Sequence, residues 1–277
     1  LAPDARAGLP DDVEDAYPVS QVQLAMLYHT QRDPASLAYL NLNAYRVRTR
    51  WDEDALRQAL DHVAARHPVL RTSFDLGATP EPVQRVHRRV EIPLEVADLR
   101  HLDPAEHDGW IDREKGRGFD WTRPPLLRFH VHLLTDDVFR LMLVEHHAVL
   151  DGWSVASLLT ELLRTFVAVR DGGDDAPGAP PAARFRDFVA LERESVASAA
   201  SRAFWRRVVD DAPVAELPPR QGDDAPRHDD APVLWIEPAE ATTQGLRRAA
   251  EHAGVPLKTV LLAAHLRVLA LLGGGRE

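Results

Sequence analysis

The chain has 277 residues, of which 45% are hydrophobic, enough to bury one large core or two modest ones. Its 33 Lys and Arg residues against 43 Asp and Glu residues give a formal charge of −10, which argues against a nucleic-acid-binding surface, because such a surface needs concentrated positive charge. The absence of cysteine excludes disulfides, Cys-ligated zinc and a cysteine nucleophile.

We expect neither a secretion signal nor a membrane span in this sequence. The sequence begins at Leu1 without a charged n-region or an apolar h-region, so we expect no secretion signal and an N-terminus cut from a longer chain. The apolar stretch Leu257–Leu272 is interrupted by Lys258, His265 and Arg267, and it is shorter than the ~20 apolar residues of a membrane span. We therefore expect a cytoplasmic protein with no membrane partner.

Helices and strands are predicted to alternate in the first part of the chain. Residues 1–13 are polar and are predicted to be a linker. Ser20 is predicted to begin a helix, because Gln23 three residues later completes the pattern of a capping box. By their hydrophobic periodicity, the next elements are a strand at 38–48, a helix at 52–66, strands at 69–74 and 83–90, and a short polar helix within 101–117.

The strongest β signal lies between residues 127 and 144. Apolar and polar residues alternate over Leu127–Leu133, and Phe139–Val144 returns as an apolar strand after a Thr-Asp-Asp turn, which predicts an antiparallel hairpin. The later predictions are a helix at 153–170, a boundary at 171–183, a helical region at 185–210, a linker at 217–232, a strand at 233–237, and helices at 240–253 and 256–272.

Residues 139–154 contain the strongest candidates for functional residues. An apolar strand ends at His146 and His147, and Asp151 and Gly152 follow shortly before a helix. These residues could be ordinary polar groups at a strand end, or His146, His147 and Asp151 could bind a metal ion, although adjacent strand residues point to opposite faces. The glycine turn favours a third interpretation, in which one inward histidine acts as a base or hydrogen-bonding catalyst.

The same segment carries a family resemblance. His-His-Ala-Val-Leu-Asp-Gly matches the HHxxxDG signature of condensation domains of non-ribosomal peptide synthetases, and the shorter HxxxDG is shared with acyltransferases similar to chloramphenicol acetyltransferase. The resemblance covers roughly residues 14–277. Four further segments resemble motifs of the family in the expected order: 17–29, 66–74 (the RHExLRTxF motif, with Pro68 where Glu is usual), 119–128 and 185–194.

The resemblance implies an α/β (α+β) fold. A chloramphenicol acetyltransferase-like lobe, with a mixed sheet flanked by helices, is expected over residues 14–175 and carries the HHxxxDG motif. Linker helices and the truncated start of a second, similar lobe are expected over 176–277. In the family, two such lobes enclose a tunnel between them.

The resemblance also implies a reaction. An acceptor amine on one carrier domain attacks an aminoacyl or peptidyl thioester on an upstream carrier domain, and a peptide bond forms. Both substrates hang on 4'-phosphopantetheine arms that belong to the donor and acceptor carriers, and an adenylation domain is the expected neighbour. The chain itself is expected to bind no cofactor and no metal, and not to bind nucleic acid.

The resemblance assigns roles to five residues. His147, the second His of the motif, is the catalytic residue, either as general base or by positioning the amine and stabilising the tetrahedral intermediate. Asp151 is expected to form a structural ion pair with Arg71. His146 points the other way and supports packing, and Gly152 keeps space beside the pantetheine arm.

Two other functions remain open. One is an acyltransferase of the same superfamily that uses a free acyl-CoA, a carrier or a soluble amine. The other is a non-catalytic module that recruits a carrier or an enzyme. A heterocyclisation domain is excluded, because its motif would have aspartates in place of the two histidines.

Overall fold

In the computed structural model, the chain forms two compact units. The first unit ends at Ala197 and the second begins at Ser198. The residues that the structure describes are 9–34, 37–77, 80–101, 110, 113–114, 116–173, 179–210, 212 and 236–273.

The described residues form strands and helices in mixed order. The strands are β1 (Val13–Pro18), β2 (Leu40–Arg48), β3 (Thr72–Asp75), β4 (Val83–His87), β5 (Leu94–Asp98), β6 (Leu127–Leu133) and β7 (Val138–His146). The helices are α1 (Gln21–Arg32), α2 (Glu53–Arg66), a short 3-10 helix (Pro68–Arg71), α3 (Gly152–Arg170), α4 (Phe185–Ala197), α5 (Ala199–Asp210), α6 (Glu240–Ala253) and α7 (Leu257–Leu272).

Two sheets organise the first unit. The smaller sheet has the order β1-β4-β3 and is antiparallel throughout. The larger sheet has the order β2-β7-β6-β5, in which β7 is antiparallel to both its neighbours and β5 is parallel to β6. The larger sheet is therefore mixed and helices accompany it, as predicted for the first lobe, and the predicted hairpin of β6 and β7 is confirmed.

The core of the first unit lies against the central strand β7. Phe139, Leu141 and Leu143 alternate along one face of this strand and belong to the same buried cluster as Leu162 and Phe166 of α3. Removing an apolar side chain of this size from water contributes ~1.5–3 kcal/mol, so β7 is fixed by its side chains as well as by hydrogen bonds on both its edges. Its C-terminal end is consequently a rigid point of the fold.

The predicted capping box at the start of α1 is confirmed. Ser20 Oγ accepts from the Gln23 backbone N–H (3.2 Å), and Gln23 Oε1 accepts from the Ser20 backbone N–H (3.1 Å). The same Gln23 side chain donates from Nε2 to the carbonyl of Ala148 (3.0 Å). The cap therefore also fixes α1 to the loop that follows β7.

Helix α3 is long and apolar enough, by length and composition, to cross a membrane. Its residues Leu162 and Phe166 are fully buried in the core of the first unit, however. A buried core helix passes the same test, so α3 is explained as part of the core.

Most of the predicted helices are confirmed, but the strands differ from the predictions in three places. Strands β1 and β5 were not predicted, because each is short and interrupted by acidic residues and forms only against a partner distant in sequence. The strand predicted at 69–74 begins only at Thr72, because residues 68–71 form a 3-10 helix in which Pro68 fixes φ at the start of a helical turn. The predicted helical region at 185–210 is confirmed and consists of two helices that break at Ser198.

Other predictions fall partly or wholly outside the described residues. The linker at 217–232 lies outside them entirely. The predicted polar helix at 101–117 and the predicted strand at 233–237 lie outside them for the most part.

The first unit extends beyond residue 175, the predicted end of the first lobe. Helix α4 packs on the smaller sheet, where Val189 forms a buried cluster with Tyr17 and Val86. Arg186 Nη1 also lies 2.8 Å from Asp15 Oδ2 on β1. These contacts explain why α4 belongs to the first unit.

The second unit contains α5, α6 and α7. Helix α6 ends at Gly254, whose φ of +63° is the left-handed conformation that favours glycine at a helix C-terminus. Helix α7 is apolar and exposes several large side chains, which are Leu261, Leu262, Leu266, Val268, Leu271 and Leu272. An incomplete second lobe remains a prediction.

Candidate active site

His146 and His147 lie at the C-terminal end of β7 and point in different directions. His146 is 3% exposed, and its Nε2 lies 3.2 Å from Thr30 Oγ1, while its Nδ1 accepts from the Ala148 backbone N–H (3.2 Å). Burial, together with the nearby His147, lowers the pKa of His146 to about 4. His146 is therefore neutral at neutral pH and holds α1 to the loop that follows β7; its supporting role in the site remains a prediction.

His147 is half-buried and lines a cavity of about 820 Å³ in the first unit. Its backbone N–H donates to the Tyr39 carbonyl (2.8 Å), so pairing with the chain that leads into β2 continues past the end of β7. Its Nδ1 lies 3.0 Å from Asn41 Nδ2. With Nδ1 held in this way, Nε2 is the ring nitrogen left for substrate chemistry.

Asn41 and Glu145 are two polar residues beside His147 that sequence reasoning missed. They are directly opposite each other in the β2–β7 register, and Asn41 Nδ2 lies 2.6 Å from Glu145 Oε1. Glu145 is 0% exposed, and burial raises its pKa to about 7. A carboxylate after the apolar run Leu141–Val144, immediately before the two histidines, was the signal that could have identified Glu145.

Asp151 and Arg71 do not form the expected ion pair. Asp151 is the N-cap of α3, where Oδ1 accepts from the Ser154 backbone N–H (2.7 Å), and hydrogen bonds with the side chain and the backbone of Ser154 lower the pKa of Asp151. Arg71 instead lies 3.1 Å from Glu14 Oε2 of β1 and donates to carbonyls at the end of α2. The expected pairing was wrong, because the cap and the helix end provide each side chain with a nearer partner.

The capping role of Asp151 predicts a contrast between two substitutions. Asp151→Ala removes the cap acceptor and is expected to lower the free energy of unfolding by ~1 kcal/mol. Asp151→Asn keeps an oxygen acceptor and is expected to change it by less than ~0.5 kcal/mol, since Asn and Asp cap equally well. Urea-induced unfolding at neutral pH measures both. Equal losses for the two variants would show that the charge matters, as an ion pair requires.

Gly152 is the first residue of α3. A Cβ built at this position meets no described atom within 4 Å, and its φ is not in the left-handed region. Neither packing within the first unit nor backbone strain therefore requires glycine here. The expectation that it leaves space for a pantetheine arm remains a prediction.

The metal site considered for His146, His147 and Asp151 is not assembled. The ring of His146 is directed to Thr30, the ring of His147 is directed to Asn41, and Asp151 caps α3. No shared position for an ion results from these three residues.

A different group of possible ligands, Glu95, Glu114 and His130, does come together in the described residues. Both carboxylates are already neutralised, because Arg117 Nη1 lies 2.8 Å from each of them and Arg128 Nε lies 2.7 Å from Glu114. Two arginines in contact with the two carboxylates disfavour a cation at this position.

The comparisons with known proteins identify the family. The model of the family described as "Condensation domain" matches residues 13–277. The chain belongs to the condensation-domain family. It is 38% identical over 278 residues to the AMB antimetabolite synthetase AmbE of Pseudomonas aeruginosa, covering 98% of this chain and 13% of that protein. It is 33% identical to the chondramide synthase cmdD of Chondromyces crocatus, covering 94% of this chain and 7% of that protein.

Solved condensation domains share the fold. The first condensation domain of the calcium-dependent antibiotic synthetase, in complex with a substrate analogue, superposes with a TM-score of 0.73 at 23% identity, covering 95% of this chain and 63% of that one. The X-domain of teicoplanin biosynthesis, solved in complex with OxyB, has a TM-score of 0.69 at 25% identity, covering 96% of this chain and 58% of that one. The chain thus spans less than two thirds of each of these solved chains.

Three of the four further segments that resemble condensation-domain motifs meet at one cavity. Tyr17 and Ser20 come from the first of these segments, Arg66 and His67 from the second, and Phe185 and Glu192 from the last, and all of them line the cavity that contains His147. Motifs that are far apart in the sequence of this condensation domain therefore surround the same histidine.

Proposed function

We propose that this condensation domain forms peptide bonds by transferring a carrier-bound aminoacyl or peptidyl group to the amine of a carrier-bound acceptor. The observation that carries the proposal is the placement of His147. Its ring lines a cavity at the end of a rigid strand, and its Nδ1 is held by Asn41, so that Nε2 is available to a substrate. An imidazole held in this way can exchange a proton with an amine nitrogen near neutral pH.

In the proposed reaction, His147 is the catalytic residue. The amine nitrogen attacks the thioester carbon, the C–N bond forms and the C–S bond breaks. The proton released by the amine passes to Nε2 and from there to the departing thiolate, so the imidazole is restored at the end of each cycle. His146 and Asp151 fix the loop around the catalytic residue, Arg71 fixes the end of α2, and Gly152 is expected to face the pantetheine arm.

The proposed partners are an upstream donor carrier and a downstream acceptor carrier, each with its own 4'-phosphopantetheine arm, and a neighbouring adenylation domain. The multidomain relatives support this setting, because the chain spans only 13% of the length of AmbE. We propose that the condensation domain binds no cofactor of its own and acts in the cytoplasm.

Transfer between two loaded carriers tests the proposal. The protein that contains this chain is mixed with a donor carrier and an acceptor carrier, each loaded with a defined aminoacyl group, and intact-protein mass spectrometry follows both. We expect the acceptor to gain the mass of the donor aminoacyl group. An acceptor carrier with an unloaded pantetheine arm is the matched control and is expected to gain nothing.

The same assay distinguishes the alternatives. Transfer to a soluble amine but not to a carrier-bound amine would indicate a free-amine acyltransferase. A lack of transfer to either amine, with folded protein and loaded carriers, would indicate a recruiting module, a role for which the X-domain in complex with OxyB is the structural comparison.

A further inference from the structure

Three polar side chains form a continuous chain of contacts that ends at His147. Glu145 Oε1 lies 2.6 Å from the Asn41 amide, and the same amide atom lies 3.0 Å from His147 Nδ1. Asn41 and Glu145 come from neighbouring strands in direct register, so their contact is fixed by the sheet. A change in the protonation state of Glu145 therefore acts directly on the Asn41 amide atom that contacts the His147 ring.

The amide of Asn41 can face these two partners in two ways, which differ by half a turn about its last side-chain bond. With its nitrogen facing them, it donates one hydrogen to Glu145 and one to Nδ1, so that a neutral His147 has its proton on Nε2. With its oxygen facing them, it accepts from a protonated Glu145 and from Nδ1–H, so that Nε2 has a free lone pair. Only the second arrangement makes Nε2 a base.

We propose that Asn41 and Glu145 are positioning residues that select the tautomer of His147, with a protonated Glu145 and the oxygen of Asn41 together holding the tautomer in which Nε2 is a base. The catalytic consequence of this inference rests on the proposed function. The coupling of the three side chains is a property of the folded chain alone.

Two observations favour the protonated form of Glu145, although a hydrogen bond donated by the Asn41 amide nitrogen favours the ionised form. The separation of 2.6 Å is short for an N–H···O bond but ordinary for the O–H···O bond that a neutral carboxyl group donates. Glu145 Oε2 is buried and has no hydrogen-bond partner among the described residues. An ionised carboxylate with one oxygen unsolvated is costly, whereas a neutral carboxyl group needs fewer partners.

The electrostatic surroundings of Glu145 are simple. On its face of the sheet, it lies between Asn41 of β2 and Leu127 of β6, and Leu143 precedes it on β7. Among the ionisable side chains of the described residues, His147 is the one whose charge acts on Glu145, and it favours the ionised form. Burial has the larger effect and raises the pKa of Glu145 to about 7, so the carboxyl group loses its proton as the pH rises through that value.

Nuclear magnetic resonance of the chain tests the coupling without substrates. Long-range proton–nitrogen spectra report the tautomer of each histidine, and the His147 signals are identified by their loss in His147→Ala. At a pH near 8.5, about 1.5 units above the pKa of Glu145, we expect the Nε2–H tautomer in the wild type and the Nδ1–H tautomer in Glu145→Gln, whose neutral amide still donates to Asn41. Asn41→Ala is expected to give the same spectrum at position 147 with or without Glu145→Gln. Asn43→Ala, on the same face two residues along β2, is the matched control and should leave the wild-type behaviour unchanged.

Kinetics provide the second test. The ratio of the Glu145→Gln rate to the wild-type rate is expected to rise about tenfold per pH unit above 7, because only the wild type loses the proton that holds the base form. Taking the ratio cancels the titration of the acceptor amine. A flat ratio, or one tautomer shared by wild type, Glu145→Gln and Asn41→Ala at high pH, would overturn the inference. Loss of transfer in every variant alongside the expected spectra would overturn the proposed function and not the coupling.

Discussion

Replacement of His147 by alanine is expected to lower the rate of peptide transfer to the acceptor carrier by about 10²–10⁴. The variant loses the group that we propose takes the proton from the attacking amine, while the cavity around it and the strand below it stay in place. A residual rate is expected, because holding an amine beside a thioester provides a large acceleration of its own. Single-turnover transfer between loaded carriers, followed by intact-protein mass spectrometry, measures the loss.

Substitution of a second histidine distinguishes the loss of the His147 side chain from a general effect of replacing a histidine by alanine. His101 is an exposed turn residue of the same unit, and His101→Ala is expected to transfer at the wild-type rate. The loss in His147→Ala should lie in the transfer step and not in the concentration of carrier needed for half-maximal rate. Wild-type transfer by folded His147→Ala would contradict the assignment of the catalytic residue.

Replacement of Arg71 by leucine is expected to lower the free energy of unfolding by ~3–5 kcal/mol, because two backbone carbonyls would lose their donor, at ~1–3 kcal/mol for each buried acceptor left unpaired. Arg71 is 5% exposed, donates from Nε to the Ala64 carbonyl (2.8 Å) and from Nη1 to the His87 carbonyl, and pairs with Glu14. Leucine would leave these acceptors without a donor at the point where α2 meets the smaller sheet. Urea-induced unfolding measures the difference.

Two comparisons show which partner of Arg71 matters. Arg57→Leu removes an arginine whose ion pair with Glu53 lies on the surface, and it is expected to cost less than ~1 kcal/mol. In double-mutant cycles, the effects of Arg71→Leu and Asp151→Ala should add to within ~0.5 kcal/mol, whereas those of Arg71→Leu and Glu14→Gln should not. A coupling of several kcal/mol between Arg71 and Asp151 would restore the ion pair that the family resemblance implied.

Local patterns explain which parts of the fold were predictable. Helices α2 and α3 repeat apolar residues at helical spacing, and the hairpin of β6 and β7 closes over a short turn, so each was readable from neighbouring residues alone. Strands β1 and β5 could not be predicted in this way. Each pairs with a strand tens of residues away, and its own sequence does not contain that partner.

The residues of the site also differ in whether the sequence alone could predict them. The motif located His147 at a strand end, and the structure places it there, facing a cavity. The partners of the motif residues depend on which groups are close in three dimensions. Asp151 accepts a hydrogen bond from the first turn of its own helix, and Arg71 forms an ion pair with Glu14. The role of Asn41 could not be predicted, because Asn41 and His147 are 106 positions apart in the sequence and come together only in the folded sheet.

The pairing of β7 on both edges, continued by the hydrogen bond from His147 to Tyr39, has a consequence for timing. Backbone held in the middle of a sheet opens only in rare, cooperative fluctuations, so the ring of His147 is in place before any substrate comes near it. In the proposed reaction, the two tethered reactants are then the parts that move. We therefore expect the turnover rate to depend on how often both tethered reactants reach His147 at the same time.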